Sequence, residues 1–578
     1  VAFEGALAHG ERLIEKLTAL FSSSRPGPQL AHIATDGESY GHHHKFGDMA
    51  LAYVLEQIEA RQLARLTNYG EFLEKHPPTH EVEIVEKSSW SCAHGIDRWW
   101  SDCGCHTGAN PGWNQKWRTP LRNALDWLRD NIAPNWERKA NALLKQPWRA
   151  RDDYIDVVLD RSPESVRRFL ARHAVRSLTA EETTAALKLL ELQRHAMLMY
   201  TSCGWFFDDI SGLEAVQILR FAARAAQLAQ ELFGDSLNDN FIKQLAAAES
   251  NMPEQGDGAK IYESQVVPAK VDWERLAAHS AISSLFEDFP REKKIYCFRS
   301  YLLAHEVLTA GRVRLAFGRT RLESSVTLEA KPLCFGVLHL GDHHISGGVA
   351  PKLDEDAYRS AFSETSECFN RADFAGVLRL LGQIFGEANY SIHSLFRDQR
   401  RAVLNTILSA NLSEAEMLYR QIYEPRAPLL RFLTDLNVPL PKAFSAAAEI
   451  ALNGYLRAAF EADSIEPERI RRLIEIAKVE GVALEAQALE FAFRRSLERL
   501  AARFSSEPSV AHLEMLASAA DLLGELPFAV NLWKTQNVFY ENLKSVFPAR
   551  REDAADPSNS RWVAGFEKLG RKLGIKVP

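Results

Sequence analysis

Apolar residues recur at every third or fourth position over most of this chain, a spacing that predicts a protein built chiefly from amphipathic helices. The spacing holds over 120–145, 163–173, 180–201, 211–233 and 269–286. Breakers such as Ser162-Pro163 and Asn251-Met252-Pro253 separate the runs. The period changes after residue 310. Arg312-Val313-Arg314-Leu315-Ala316-Phe317-Gly318-Arg319-Thr320-Arg321-Leu322 alternates strictly, and Ser325–Glu329 and Pro332–Leu340 read as further strands. A small antiparallel sheet is therefore expected over roughly 310–350. From 358 to 575 the helical spacing returns, with a helix start predicted at Leu412-Ser413-Glu414-Ala415-Glu416. No fixed-period repeat is present.

The first ninety residues have a different rhythm. An amphipathic stretch carrying Leu13, Ile14, Leu17, Leu20 and Phe21 precedes Leu30-Ala31-His32-Ile33-Ala34-Thr35, which reads as a short buried strand. A helix follows over 47–60, then a second short strand at Leu63–Leu66, then a brief helix from Asn68 that Pro77-Pro78 ends. Strand, loop and helix in this order predict a parallel βα unit. In such units reactive side chains gather just past the carboxyl ends of the strands, where Asp36 lies.

Length and charge narrow the function classes. A chain of 578 residues is too long for one ordinary core and predicts two to four domains. A net charge of -7 is the wrong sign for a nucleic-acid surface. No apolar run approaches the length of a membrane span. Seven cysteines, an odd number, suit a reducing cytoplasmic setting better than a disulfide scaffold. The chain opens on Val1 with no secretory signal pattern, and we expect it to be a fragment of a longer protein. The sequence carries no signal for an oligomeric state.

Candidate chemistry begins at Asp36-Gly37-Glu38, followed by His42, His43 and His44. Two carboxylates two residues apart on a loop suit acid/base work if their surroundings hold one protonated and the other ionised. The competing reading is an Asp-Gly turn whose carboxylate caps the next helix. Thr35-Asp36-Gly37-Glu38-Ser39-Tyr40-Gly41 resembles the fourth signature region of glycoside hydrolase family 57, in which such a run follows a strand of an incomplete (β/α) barrel. Leu66-Thr67-Asn68-Tyr69-Gly70-Glu71-Phe72-Leu73 resembles the helix start after the last barrel strand, and Ser88-Ser89-Trp90 the Ser-Trp turn beyond it. Everything after the sheet resembles an accessory domain of uncharacterised function. The resemblance implies a retaining α-glucan glycosidase or glucanotransferase without a cofactor, with Asp36 as general acid/base. It places the Glu nucleophile on an earlier barrel strand, outside this chain.

The fold class expected from pattern and resemblance together is mixed α/β, mainly α. Residues 1–87 form the C-terminal part of a barrel, and 88–290 a tryptophan-rich loop and a helical domain that completes the cleft. A small antiparallel module occupies 291–350, and a helical accessory domain 351–578.

Eight of the twelve tryptophans fall between 90 and 148. Trp127, Trp136 and Trp148 sit on helical patterns and read as packing residues. Trp90, Trp99, Trp100 and Trp113 lie in a polar, Gly-rich loop, where indole faces suit the apolar faces of sugar rings. Glu38, His43 and His94 are candidate hydroxyl contacts. The same loop holds Cys92-Ala93-His94 and Cys103-Gly104-Cys105-His106. That spacing differs from a standard finger, so buried thiols beside a substrate-facing His94 are the favoured reading over a zinc site of Cys92, His94, Cys103 and Cys105. Between two long helices, Trp205 and Asp208 could reach a sugar, or an aspartate here could cap the next helix. Leu338-His339-Leu340-Gly341-Asp342-His343-His344 reads as a hairpin turn. The expected partner is an oligo- or polysaccharide, an α-glucan by resemblance. The alternatives are a metal-dependent polysaccharide deacetylase, using Asp36 with His42–His44, and a non-catalytic glycan-binding protein.

Overall fold

The computed structural model describes residues 4–234, 236–386, 390–553 and 555–578. The chain is mainly helical, with one five-stranded sheet, the mixed and predominantly α class that the patterning predicts. It divides into two units. The first comprises residues 1–123, 202–215 and 245–258; the second comprises 124–201, 216–244 and 259–578.

In the first unit, helices Gly10–Thr18 and Gly47–Ala60 pack through Leu13, Ile14, Val54 and Ile58. Asn68 caps helix Tyr69–Lys75, its Oδ1 accepting from the Glu71 backbone N–H at 3.0 Å. The two strands expected at 30–35 and 63–66 do not form. Neither segment has a ladder partner among the described residues, and a parallel strand is held by its neighbours, not by its own sequence. Their apolar side chains instead line an open groove of about 770 Å³, with Leu30, Ile33, Leu63 and Leu66 on its walls.

The second unit is built around the sheet, whose strands follow chain order: β1 (Glu292–Ile295), β2 (Phe298–Ala310), β3 (Val313–Ser324), β4 (Ala330–His339) and β5 (Ile345–Pro351), all antiparallel. Alternation sends Ala316, Phe335 and Val337 to a face covered by helix Trp273–Ser283. Leu315, Phe317, Cys334 and Leu338 face helices Glu355–Asn370 and Phe374–Phe385. Close helix approach depends on glycine. A Cβ at Gly348 would lie 2.3 Å from Phe385 Cβ, and one at Gly336 would lie 2.7 Å from Phe385 Cε2. Beyond the sheet, Trp562, Phe566, Phe504 and Phe493 centre a helical core with stacked rings.

Three local expectations are corrected. Ser325–Thr327 is the turn joining β3 to β4, not a strand. The helix start predicted near Ser413 lies inside one continuous helix, Arg397–Tyr423, where Ser413 Oγ donates to the Ser409 carbonyl at 2.8 Å. The sheet begins at Glu292, inside the 291–350 module but well before the 310 that strand alternation marks, since β2, reading Leu302-Leu303-Ala304-His305-Glu306-Val307-Leu308, has helical spacing and a register shift at Leu302/Ala304. The turn read at 338–344 is a turn: Gly341 and Asp342 take positive φ, and the His344 N–H donates to the Gly341 carbonyl at 3.0 Å.

Candidate functional site

The tryptophan-rich loop of the first unit folds around its cysteines. Cys92 and Cys103 Sγ lie 3.8 Å apart, Cys92 and Cys105 Sγ 3.7 Å, and Cys105 Sγ stands 3.5 Å from His94 Nδ1. All four ligand atoms lie within 4.8 Å of one another, the one group of this kind among the described residues. All seven cysteines are free thiols. Burial pushes the Cys92 thiol up, but the backbone N–H groups of His94 and Arg98 and the neighbouring sulfurs outweigh it and bring it down to about 7. Burial raises Cys103, reinforced by the adjacent thiols and opposed by the Cys105 backbone N–H. Glycine permits these turns. Gly104 has φ 76° between Cys103 and Cys105, and Gly95 has φ 76° with its Cα so close to the Lys87 carbonyl that a Cβ would sit 2.5 Å from that oxygen.

Two buried guanidinium groups back this cluster. Arg118 is fully buried and donates from Nη1 to Cys103 Sγ at 3.8 Å, while its Nε and Nη2 have no hydrogen-bond partner. Burial lowers its pKa, partly offset by Cys103 and Asp208. Arg98 donates from Nη1 to the Phe206 carbonyl at 2.9 Å and lies over the Phe206 ring.

The aspartates after Trp205 anchor the loop. Asp208 is 5 % exposed and accepts from the Thr107 backbone N–H at 2.9 Å and from Thr107 Oγ1 at 2.6 Å. Asp209 accepts from Ser211, from Ser250 Oγ at 2.8 Å and from the Asn251 backbone N–H at 2.6 Å. Asn251 in turn binds both the N–H and the carbonyl of Asn114. Trp205 is 1 % exposed. Trp205 and Asp208, expected to touch substrate, are therefore packing and anchoring groups, because burial leaves neither a free face.

The remaining tryptophans of the loop divide by exposure. Trp90 is 82 % exposed and Trp100 46 %, with the Arg122 guanidinium 5.2 Å from the Trp100 ring centre. Trp99 and Trp113 are half-buried, and Trp99 Nε1 donates to the Ser202 carbonyl at 3.1 Å. His94 is exposed, with its Nδ1 beside Cys105 Sγ.

Asp36, Glu38 and His43 are all exposed, on a tight turn in which the Ser39 N–H donates to the Asp36 carbonyl and the His43 N–H to the Glu38 carbonyl. Asp36 precedes a 3-10 turn but makes no side-chain cap, so the helix-capping reading of this aspartate is not realised. Among the described residues, Asp36 and His42–His44 do not form a group with ligand atoms gathered around one point.

Sequence reasoning missed a charged cavity of about 740 Å³ within the second unit. Glu191, its side chain 4 % exposed, accepts from Tyr154 Oη at 2.9 Å and from Arg161 Nη2 at 2.8 Å. Lys188 bridges Glu231 at 2.9 Å and Glu329 at 2.7 Å. Burial presses the Glu191 carboxyl upward, yet Arg161, Tyr154 and Arg194 hold it below its ordinary value. Burial and the surrounding arginines drop His195, on the same helix, to about 4, against the opposing pull of Glu191. The available signal was the three- and four-residue spacing of Lys188, Glu191 and His195, which puts all three on one side of the helix.

Residues 113–396 match the profile of a family described as a domain of unknown function, DUF3536. No curated protein and no solved structure matches the chain. The match takes in the sheet and most of the preceding helices and leaves the turn at Asp36 outside it. No described helix is long and apolar enough to cross a membrane.

Proposed function

We propose that this chain is the glycan-handling part of a retaining α-glucan glycosidase or glucanotransferase of the family 57 type, with Asp36 as its general acid/base. The observation that carries the reading is the solvent-facing Asp36-Gly37-Glu38 turn inside a run resembling that family's fourth signature region. Exposed indoles at Trp90 and Trp100, on a loop fixed at many points, support it, since a stacking platform must be both rigid and uncovered. In this scheme Asp36 protonates the departing glycosidic oxygen, then removes a proton from the incoming water or sugar hydroxyl. The nucleophilic Glu comes from sequence outside residues 1–578, at about 5–5.5 Å from the acid. Glu38 and His43 contact sugar hydroxyls, and Trp90 and Trp100 hold neighbouring glucose rings. The substrate class, the intracellular setting and the division between hydrolysis and transfer belong to this proposal.

The test uses the full-length gene product on maltooligosaccharides, comparing wild type with Asp36→Asn and Trp90→Ala. Loss of a general acid should lower kcat about 10²- to 10⁴-fold. Azide should restore turnover of a substrate with a good leaving group as a glycosyl azide of retained configuration. Trp90→Ala should raise KM with little change in kcat. Equal rates for wild type and Asp36→Asn would remove Asp36 from the mechanism.

A further inference from the structure

We infer that Cys92, His94, Cys103 and Cys105 form a closed, four-coordinate zinc site whose role is to hold the tryptophan-bearing loop in shape. The argument rests on lengths. A tetrahedral zinc with Zn–S near 2.3 Å and Zn–N near 2.0–2.1 Å sets its sulfurs about 3.8 Å apart and each sulfur about 3.5–3.6 Å from the imidazole nitrogen. The observed separations are 3.8 and 3.7 Å between sulfurs and 3.5 Å from Cys105 Sγ to His94 Nδ1. A disulfide would need an S–S length of about 2.05 Å, far shorter than these separations.

Charge supports the same assignment. Three thiolates, one neutral imidazole and one divalent zinc sum to a single negative charge. Arg118, fully buried with its guanidinium against Cys103, is the matching cation.

Four protein ligands leave no open position for water or substrate, so the site is structural rather than catalytic. It joins segment 92–94 to segment 103–105 and thereby closes the intervening loop that carries Trp99 and Trp100. The soft thiolate-rich set selects zinc over magnesium or calcium. The inference stands on these residues alone and does not depend on the glycosidase reading.

The test is metal analysis of the full chain purified under reducing conditions. Elemental analysis should find one zinc per chain, and cobalt substitution should give the intense visible bands of a tetrahedral thiolate complex. The double variant Cys103→Ser/Cys105→Ser should drop occupancy from one to near zero. Cys203→Ser, outside the cluster, should keep full occupancy. His94→Cys should retain the metal and shift the cobalt spectrum toward that of a four-sulfur site, which keeps the test decisive even if the double variant folds poorly. Chelation should quench or shift the emission of the loop tryptophans in wild type and leave the double variant unchanged. A wild-type chain that carries no zinc after purification and takes up no cobalt would overturn the proposal. So would a mass two protons lower that assigns a disulfide within the cluster.

Discussion

Acidification should loosen the helix Trp273–Ser283 through one histidine, and the size of the effect follows from its surroundings. His279 is 6 % exposed, with its ring tilted against Phe396 at 4.4 Å and its Nδ1 accepting the Phe396 backbone N–H at 3.3 Å. Protonation would put a cation into this apolar seat and remove that acceptor. Burial, with Lys293 and Arg275 nearby, therefore lowers the pKa from 6.5 to about 4. Between these values the unfolded chain binds a proton that the native one refuses, so stability rises with pH. The contribution is complete above about pH 6.5 and is lost as pH falls toward 4. A depression of that size corresponds to about 2 kcal/mol lost by pH 5. The assay is hydrogen exchange by mass spectrometry on peptides covering 273–283, at pH 7 and pH 5, for wild type and His279→Gln. Wild-type protection should fall by about 2 kcal/mol more than that of the variant, since His195 and every other titrating group are common to both. The same pH dependence in both proteins would refute the assignment.

Two further outcomes follow from packing and charge. Glu191→Gln leaves Arg161 beside an uncharged group in a site where the carboxylate is 4 % exposed, and should cost about 3 kcal/mol; differential scanning calorimetry would show the loss, and an unchanged Tm would show that the cavity is well solvated. Gly348→Ala forces a methyl against Phe385 and should destabilise the sheet by about 1–3 kcal/mol, with Phe385→Leu in the same chain recovering part of the loss in denaturant melts.

Much of the second unit could be read from the sequence because its helices bury one stripe each. Helix Pro163–His173 lies where the spacing places it, and Gly47–Ala60, in the first unit, agrees as well. Strand β3 is legible from its interspersed arginines although both its faces are covered, Ala316 and Leu322 in one core and Leu315 and Phe317 in the other. Strand β2 does not show in the pattern because Leu302-Leu303 and Val307-Leu308 imitate a helical stripe, and all six residues at 302–303 and 305–308 are at least partly open to solvent. Residues 30–35 and 63–66 have strand composition, but composition supplies no ladder partner. The cysteine cluster was undervalued for a different reason. A two-residue gap is the usual mark of a metal knuckle, whereas Gly104 at φ 76° lets a one-residue gap bring Cys103 and Cys105 to the same cluster. Asp208 and Trp205 were read as site residues from type and position, and neither reveals burial.

The open groove between 28–33 and 63–69 has a mechanical consequence. The segment around it is held by the small cluster of Leu13, Ile14, Val54, Ile58 and their neighbours, while the C-terminal helices share a far larger core. Opening it breaks few contacts and no strand ladder, so it is the part of the chain that yields first under heat or force. A protease added under native conditions should cut within residues 63–87 long before it reaches the helical bundle, where Val82, Ile84 and Val85 already stand in solvent. Asp36 lies in this same N-terminal stretch, so a cut there leaves the sheet and the C-terminal helical core intact.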